Sequence, residues 1–236
     1  MTTENFVPDE ATLARFGALP DNEPVVMLNL LEFVDGGEAR YAEYGRTALP
    51  QIQERGGQIL YAGGSIFDDP GAGHWDQLIL VQHPSRASFA DMMAAPEYQR
   101  GLPHRAAALK RTELHAFKQS KEPGVLPLGP VPVEGGDEIF MLNLMRFKPN
   151  GGRDEYRQYA EVSVPLIQGC GGSLPLVLDA ELPLVGEETW EEFYLVRYPN
   201  LRALKEMVAT EAWKTANAHR QRGLDLTWSF GTQPAS

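Results

Sequence analysis

Two asparagines stand where an apolar residue is expected. Asn29 interrupts the run Val25–Phe33, and Asn143 interrupts Phe140–Phe147 in the same place. A buried amide must find hydrogen-bond partners or cost on the order of 1–3 kcal/mol. Lining an interior space, each amide would donate to a carbonyl or a developing oxyanion. The competing role is an amide that pins a neighbouring loop or helix end. The dipeptides His104-Arg105 and His219-Arg220 add a second chemistry, since a histidine near its neutral pKa beside a cation can serve as base, acid or metal ligand. Successive helix residues point about 100° apart, so the histidine and arginine of a pair do not share one target. One member of each pair is therefore expected to be structural. Asn29, Asn143, His104 and His219 form the candidate catalytic set.

A wider binding set surrounds it. Tyr41 and Tyr44, like Tyr156 and Tyr159, lie three apart and share a helix face, where they pack a core or present a phenol to a ligand. Trp75 and Trp190 open a strand and offer a flat wall for stacking. Gln77 and Glu192 are expected on the tryptophans' face, which makes Glu192 the candidate interior carboxylate of its region. Arg105 and Arg220 complete the candidate substrate-binding residues. Cys170, the sole cysteine, excludes an intrachain disulfide or a Cys-x-x-Cys device, and nothing charged adjoins it to make it a nucleophile. No His/Glu cluster has metal spacing, no glycine-rich phosphate loop precedes a helix, and no Gly-x-Ser-x-Gly elbow occurs. Neither a metal nor a cofactor is expected.

The elements that must position these residues occur twice. Val26–Phe33 aligns with Phe140–Phe147 at a shift of 140 − 26 = 114, and one inserted residue then carries the register onward. Gly37, Tyr41, Tyr44 and Pro50 meet Gly152, Tyr156, Tyr159 and Pro165; farther on, Trp75, Met92, His104 and Arg105 meet Trp190, Met207, His219 and Arg220. Residues 25–117 and 138–231 are read as two copies of one module, after an extension over 1–24. Between them, 118–137 holds four prolines and four glycines and reads as a stiff linker.

Within the first copy, Val25–Phe33 puts Val25, Met27, Asn29, Leu31 and Phe33 on one face and Val26, Leu28, Leu30 and Glu32 on the other. Such a strand must be covered on both sides. Glu38–Arg55 has helical spacing with a break or kink expected at Pro50, and Gly56-Gly57 supplies the stop. Strands follow over 58–66 and 75–83. Ser85 caps a helix over 86–94, a further helical piece covers 97–109, and 111–117 alternates as the last strand. The order βαββαβ is that of the ferredoxin-like sandwich, an α+β fold with helices on one face. Two such domains in one chain can cover each other's bare sheets, which predicts an intramolecular dimeric α/β barrel with an open lumen as the ligand site.

Composition narrows the partners. At 236 residues with 43% apolar content the chain can bury a proper core, and its net charge of −11 with scattered basic residues disfavours nucleic acid. The longest apolar runs fall far short of the roughly 20 residues that cross a bilayer. Because the acidic start lacks a secretory pattern, a cytoplasmic protein is expected, with a small molecule as partner and room for a homodimer of the tandem barrel.

Met-Leu-Asn-Leu followed by a Phe, a Tyr-x-x-Tyr helix, Gly-Gly, a strand ending in His-Pro-Ser or Tyr-Pro-Asn, and a Tyr or Trp before His-Arg together resemble a bacterial family of unknown function in the dimeric α/β-barrel superfamily. The resemblance implies the barrel fold. It leaves the chemistry open, because relatives include cofactor-free monooxygenases, haem-degrading enzymes, haem-dependent dehydratases, cyclases and plain ligand binders. The favoured expectation is cofactor-independent acid/base or oxygenase-type chemistry, of monooxygenase, isomerase or cyclase type, on an apolar carbonyl or aromatic compound. A non-catalytic binder and a haem- or metal-dependent enzyme are the alternatives. Differences between the copies, such as His83 against Tyr198 and Tyr98 against Trp213, predict that only one retains a ligand site.

Overall fold

The computed structural model of the chain describes residues 6–20, 23–122 and 124–235. Parts of the expected N-terminal extension (1–5 and 21–22), Pro123 of the expected linker and Ser236 lie outside them. A short helix α1 (Glu10–Gly17) comes first, capped by the Asp9 carboxylate accepting from Thr12 N. The first copy then runs β1 (Val25–Phe33), α2 (Gly37–Glu54), β2 (Gln58–Phe67), β3 (Gln77–His83), α3 (Arg86–Ala94), α4 (Pro96–Ala108) and β4 (Leu109–Gln119). The second repeats it as β5 (Ile139–Phe147), α5 (Gly152–Gly169), β6 (Ser173–Val185), β7 (Glu192–Tyr198), α6 (Leu201–Val208), α7 (Glu211–Gly223) and β8 (Leu224–Pro234).

Each copy is an antiparallel sheet, ordered β2-β3-β1-β4 and β6-β7-β5-β8. The sheets join at both edges, β2 to β8 and β4 to β6, and close into one eight-stranded barrel. Closure leaves no open sheet edge, the usual liability of a bare ferredoxin-like sheet. The fold is two tandem ferredoxin-like modules forming an intramolecular dimeric α/β barrel.

The barrel does not enclose an open lumen. Leu28, Leu30, Phe117, Phe140, Phe193 and Phe230 lie in one continuous core with Trp75, Trp190 and Trp228. Eight strands give an interior just wide enough for side chains to fill, and here large aromatics fill it. The even-numbered face of β1 points into this core, whereas Met27 packs with Tyr44, Phe89 and Met92 on the helix side. Asn29 therefore faces the helices, which corrects the expectation of a site in the lumen. A polar exception inside is the buried pair on β4, with His115 Nε2 2.7 Å from Glu113 Oε2.

Local devices recur in both copies. A Cβ on Gly37 would lie 2.2 Å from the Ala108 carbonyl oxygen, and one on Gly152 would lie 2.5 Å from that of Gly223, so only glycine lets the α2 and α5 starts approach α4 and α7 this closely. Ser85 Oγ accepts from Ser88 N at 3.1 Å and Asn200 Oδ1 from Ala203 N at 2.9 Å, capping α3 and α6. Of the kink or break expected at Pro50 and repeated at Pro165, the break does not occur. Both helices continue to Glu54 and Gly169, because the buried Ile52 and Ile167 seat the last turn and outweigh one lost backbone bond.

Candidate active site

Each copy holds a cavity between its sheet and its helices. In the first, β1 supplies Met27 and Asn29, β3 supplies Ile79, Val81 and His83, and the helices supply Tyr41, Tyr44, Tyr98 and Arg105. The volume is about 110 Å³, and Leu49 and Ile59, 37% and 38% exposed, mark its mouth. Phe6 and Val7 close one end, while Phe16 of α1 packs edge-on against Phe89 at 5.8 Å. The N-terminal segment is thus part of the wall. Nothing in its sequence periodicity announced this.

Arg105 is 3% exposed and anchors the polar end. It donates to Tyr41 Oη at 3.0 Å, to the Phe6 carbonyl at 3.3 Å and to Thr112 Oγ1 at 3.4 Å, and it lies over the Tyr41 and Tyr44 rings. Burial works against its charge, and the phenols Tyr41, Tyr44 and Tyr98 raise its pKa only where they themselves ionise, far above neutral pH. Burial pushes the Tyr41 phenol up to about 12 despite the nearby guanidinium, and it raises Tyr44 as well. These tyrosines stay neutral at physiological pH. Asn29 Nδ2 donates to the Met27 carbonyl at 3.4 Å, and Asn29 Oδ1 has no partner among the described residues. At the far end, the Nδ1 of buried His83 is also without a partner. Desolvation lowers that ring's pKa to about 4, so it is neutral at pH 7.

The second cavity uses the same positions differently. It is larger, about 270 Å³, and is lined by Asn143, Tyr156, Tyr159, Tyr194, Tyr198 and Arg220 among others. Asn143 Nδ2 donates to the Met141 carbonyl at 3.2 Å, and its Oδ1 accepts from Ser229 Oγ at 2.9 Å. The amide oxygen is therefore satisfied internally, unlike that of Asn29. Arg220 is half-buried and donates to Thr227 Oγ1 at 3.3 Å. Tyr198, where the first copy has His83, is buried, and burial raises its pKa.

The remaining candidates lie elsewhere. His104 is exposed, and His219 sits in an ion cluster with its Nδ1 2.7 Å from Glu155 Oε2 and Arg222 alongside. Neither lines the cavity of its own copy. As the 100° offset predicts, the arginine of each dipeptide faces inward and the histidine outward. Trp75 and Trp190 are built into the barrel core, their indole nitrogens buried. Glu192 is not an interior carboxylate of the barrel. It takes an ion pair from Arg153 and the Tyr194 hydroxyl at 2.8 Å on the helix side, because a bend at Glu191 separates it from the Trp190 face. Cys170 donates to the Ile167 carbonyl at a helix end. His83, the buried histidine of the first cavity, was missed, although its mismatch with Tyr198 marks a difference between the copies.

A family model described as Domain of unknown function (DUF1330) matches residues 31–116, inside the first copy. A solved protein of unknown function from Rhodopseudomonas palustris is 30% identical, over 49% of this chain and 96% of its own, with a TM-score of 0.44. The chain belongs to this family. As a DUF1330 protein, it carries a second module that repeats the strand order of the matched one. Similar folds include an anthrone oxidase-like protein at 15% identity, covering 91% of this chain and 92% of the other with a TM-score of 0.62. A haem-binding protein from Thermus thermophilus is 14% identical over 92% of this chain and 94% of its own, with a TM-score of 0.52. No protein of curated function matches in sequence. No described helix is long and apolar enough to cross a membrane.

Proposed function

We propose that this DUF1330 protein is a cofactor-independent enzyme acting on a small, largely apolar carbonyl or aromatic compound in the cavity of its first copy. The observation that carries the reading is a small apolar cavity whose polar groups, Arg105, the Asn29 amide and the His83 ring, are not fully satisfied by the protein itself. Buried polar groups left open at a cavity wall are usually completed by a ligand or by ordered water. The chemistry of this wall favours negative charge on a substrate oxygen. Arg105 and the second Asn29 Nδ2 hydrogen can donate to an oxyanion, and in a site with little water such donors act strongly. The barrel's likeness to an anthrone oxidase-like protein is compatible with an aromatic substrate.

A haem does not fit these residues. The first cavity does contain a histidine, but at about 110 Å³, with a mouth between Leu49 and Ile59, it is several times too small for a porphyrin. The larger second cavity has no histidine in its lining.

The experiment is a turnover screen of small aromatic and carbonyl compounds followed by mass spectrometry. The reading predicts conversion by the intact protein, at least about 10²-fold slower with Asn29→Leu and unaffected by Asn143→Leu. Conversion that depends on Asn143 and not Asn29 contradicts it. A ligand bound tightly and released unchanged would make the protein a binder.

A further inference from the structure

We infer that the first cavity selects a ring-sized monoanion, a carboxylate or an ionised phenol or enol, whose oxygen docks on Arg105 beside Asn29. The inference rests on the reading above and specifies the charge of what enters. Two arginines are buried among the described residues, and they are treated oppositely. Arg86 has the Glu181 carboxylate against it. Arg105 meets a phenol, a backbone carbonyl and a threonine hydroxyl, all neutral, with no carboxylate among the described residues. A buried guanidinium with no counter-charge is costly, and a fold that retains one at a cavity wall is poised to receive the missing charge from outside.

The surplus hydrogen-bonding capacity at that end consists mainly of donors. A guanidinium carries five N–H groups, and three of these bonds are made internally, leaving two. Tyr41 Oη accepts from Arg105, so its own hydrogen is free to be given. Asn29 Nδ2 has a second hydrogen beyond the one on Met27. Thr112 lies opposite Leu31, two residues along β1 from Asn29, so Arg105 and Asn29 address neighbouring points on the sheet. Nothing at this end can accept a proton at neutral pH. His83 is four residues along β3 from Ile79, the partner of Asn29, hence roughly 13 Å away. The charge must therefore already be on the ligand when it binds. The second copy makes no such demand, because half-buried Arg220 keeps part of its hydration; Asn143 has the same second Nδ2 hydrogen as Asn29, and its Oδ1 is held by Ser229.

Calorimetric titration of the full chain with benzoate and with benzamide, equal in ring and near-equal in shape, tests the inference. Benzoate is expected to bind at least tenfold more tightly. Arg105→Gln should weaken benzoate about 100-fold or more and leave benzamide nearly unchanged, with Arg220→Gln altering neither. Benzamide binding as well as benzoate would overturn the charge selection and leave the cavity reading standing. Failure of both probes, or displacement of benzoate by Arg220→Gln rather than Arg105→Gln, would overturn both. The comparison on the unaltered chain decides the matter even where Arg105→Gln does not fold.

Discussion

The two cavities start from equivalent residues and end in opposite states. The Oδ1 of Asn143 is completed by Ser229 and Arg220 in the second copy is left partly to solvent, whereas in the first the Oδ1 of half-buried Asn29 has no partner among the described residues and Arg105 is shut away. Leu114 stands where Ser229 would be, and the segment around Phe6 closes over the first cavity. An internal hydroxyl completes the Oδ1 of Asn143, and no described residue does so for Asn29. Duplication let the second copy settle into a satisfied structural state and kept the first incomplete, which is how a binding site differs from a core.

The comparison can be broken in four ways. Phe16→Ala removes the residue that fastens α1 to the first copy and should cost about 3–5 kcal/mol in denaturant unfolding, opening the first cavity alone. His83 should make the first copy acid-sensitive. Above about pH 6.5 its ring is neutral in both folded and unfolded chains; below that the unfolded chain takes the proton first, and stability falls until the folded ring also protonates near pH 4. The loss reaches on the order of 3 kcal/mol, and unfolding curves of His83→Leu should lack it over that window. Asn143→Leu leaves the Ser229 hydroxyl without its acceptor and should cost about 1–3 kcal/mol by thermal unfolding. Asn29→Leu, which breaks one long bond in an apolar wall, should change stability by no more than about 0.5 kcal/mol. Equal losses from the two asparagine changes would erase the distinction.

Much of this was legible beforehand. The repeat register, the strand Val25–Phe33, the helix over 86–94 with its Ser85 cap and the barrel itself follow from periodicity and turn chemistry. The face of β1 that meets the helices was not legible, since both faces are apolar and only three-dimensional closure decides which one the aromatic core claims. For the same reason Asn29 could be assigned to a wall but not to the right side of the sheet. His104 drew attention by its type, yet Arg105 beside it is the residue the fold buries. The pairing of Asn143 with Ser229 depends on the β5–β8 register across 86 residues, which no local pattern encodes. The role of Phe6 is likewise non-local.

The most direct measurement is a crystal soaked with a bromine-labelled benzoate and read by the anomalous signal of the bromine. A dominant peak in the first cavity, with the carboxylate on Arg105 and Asn29 and weak or no density in the second, is the predicted result. Equal occupancy of the two cavities, or bromine lodged within the barrel, would contradict the account.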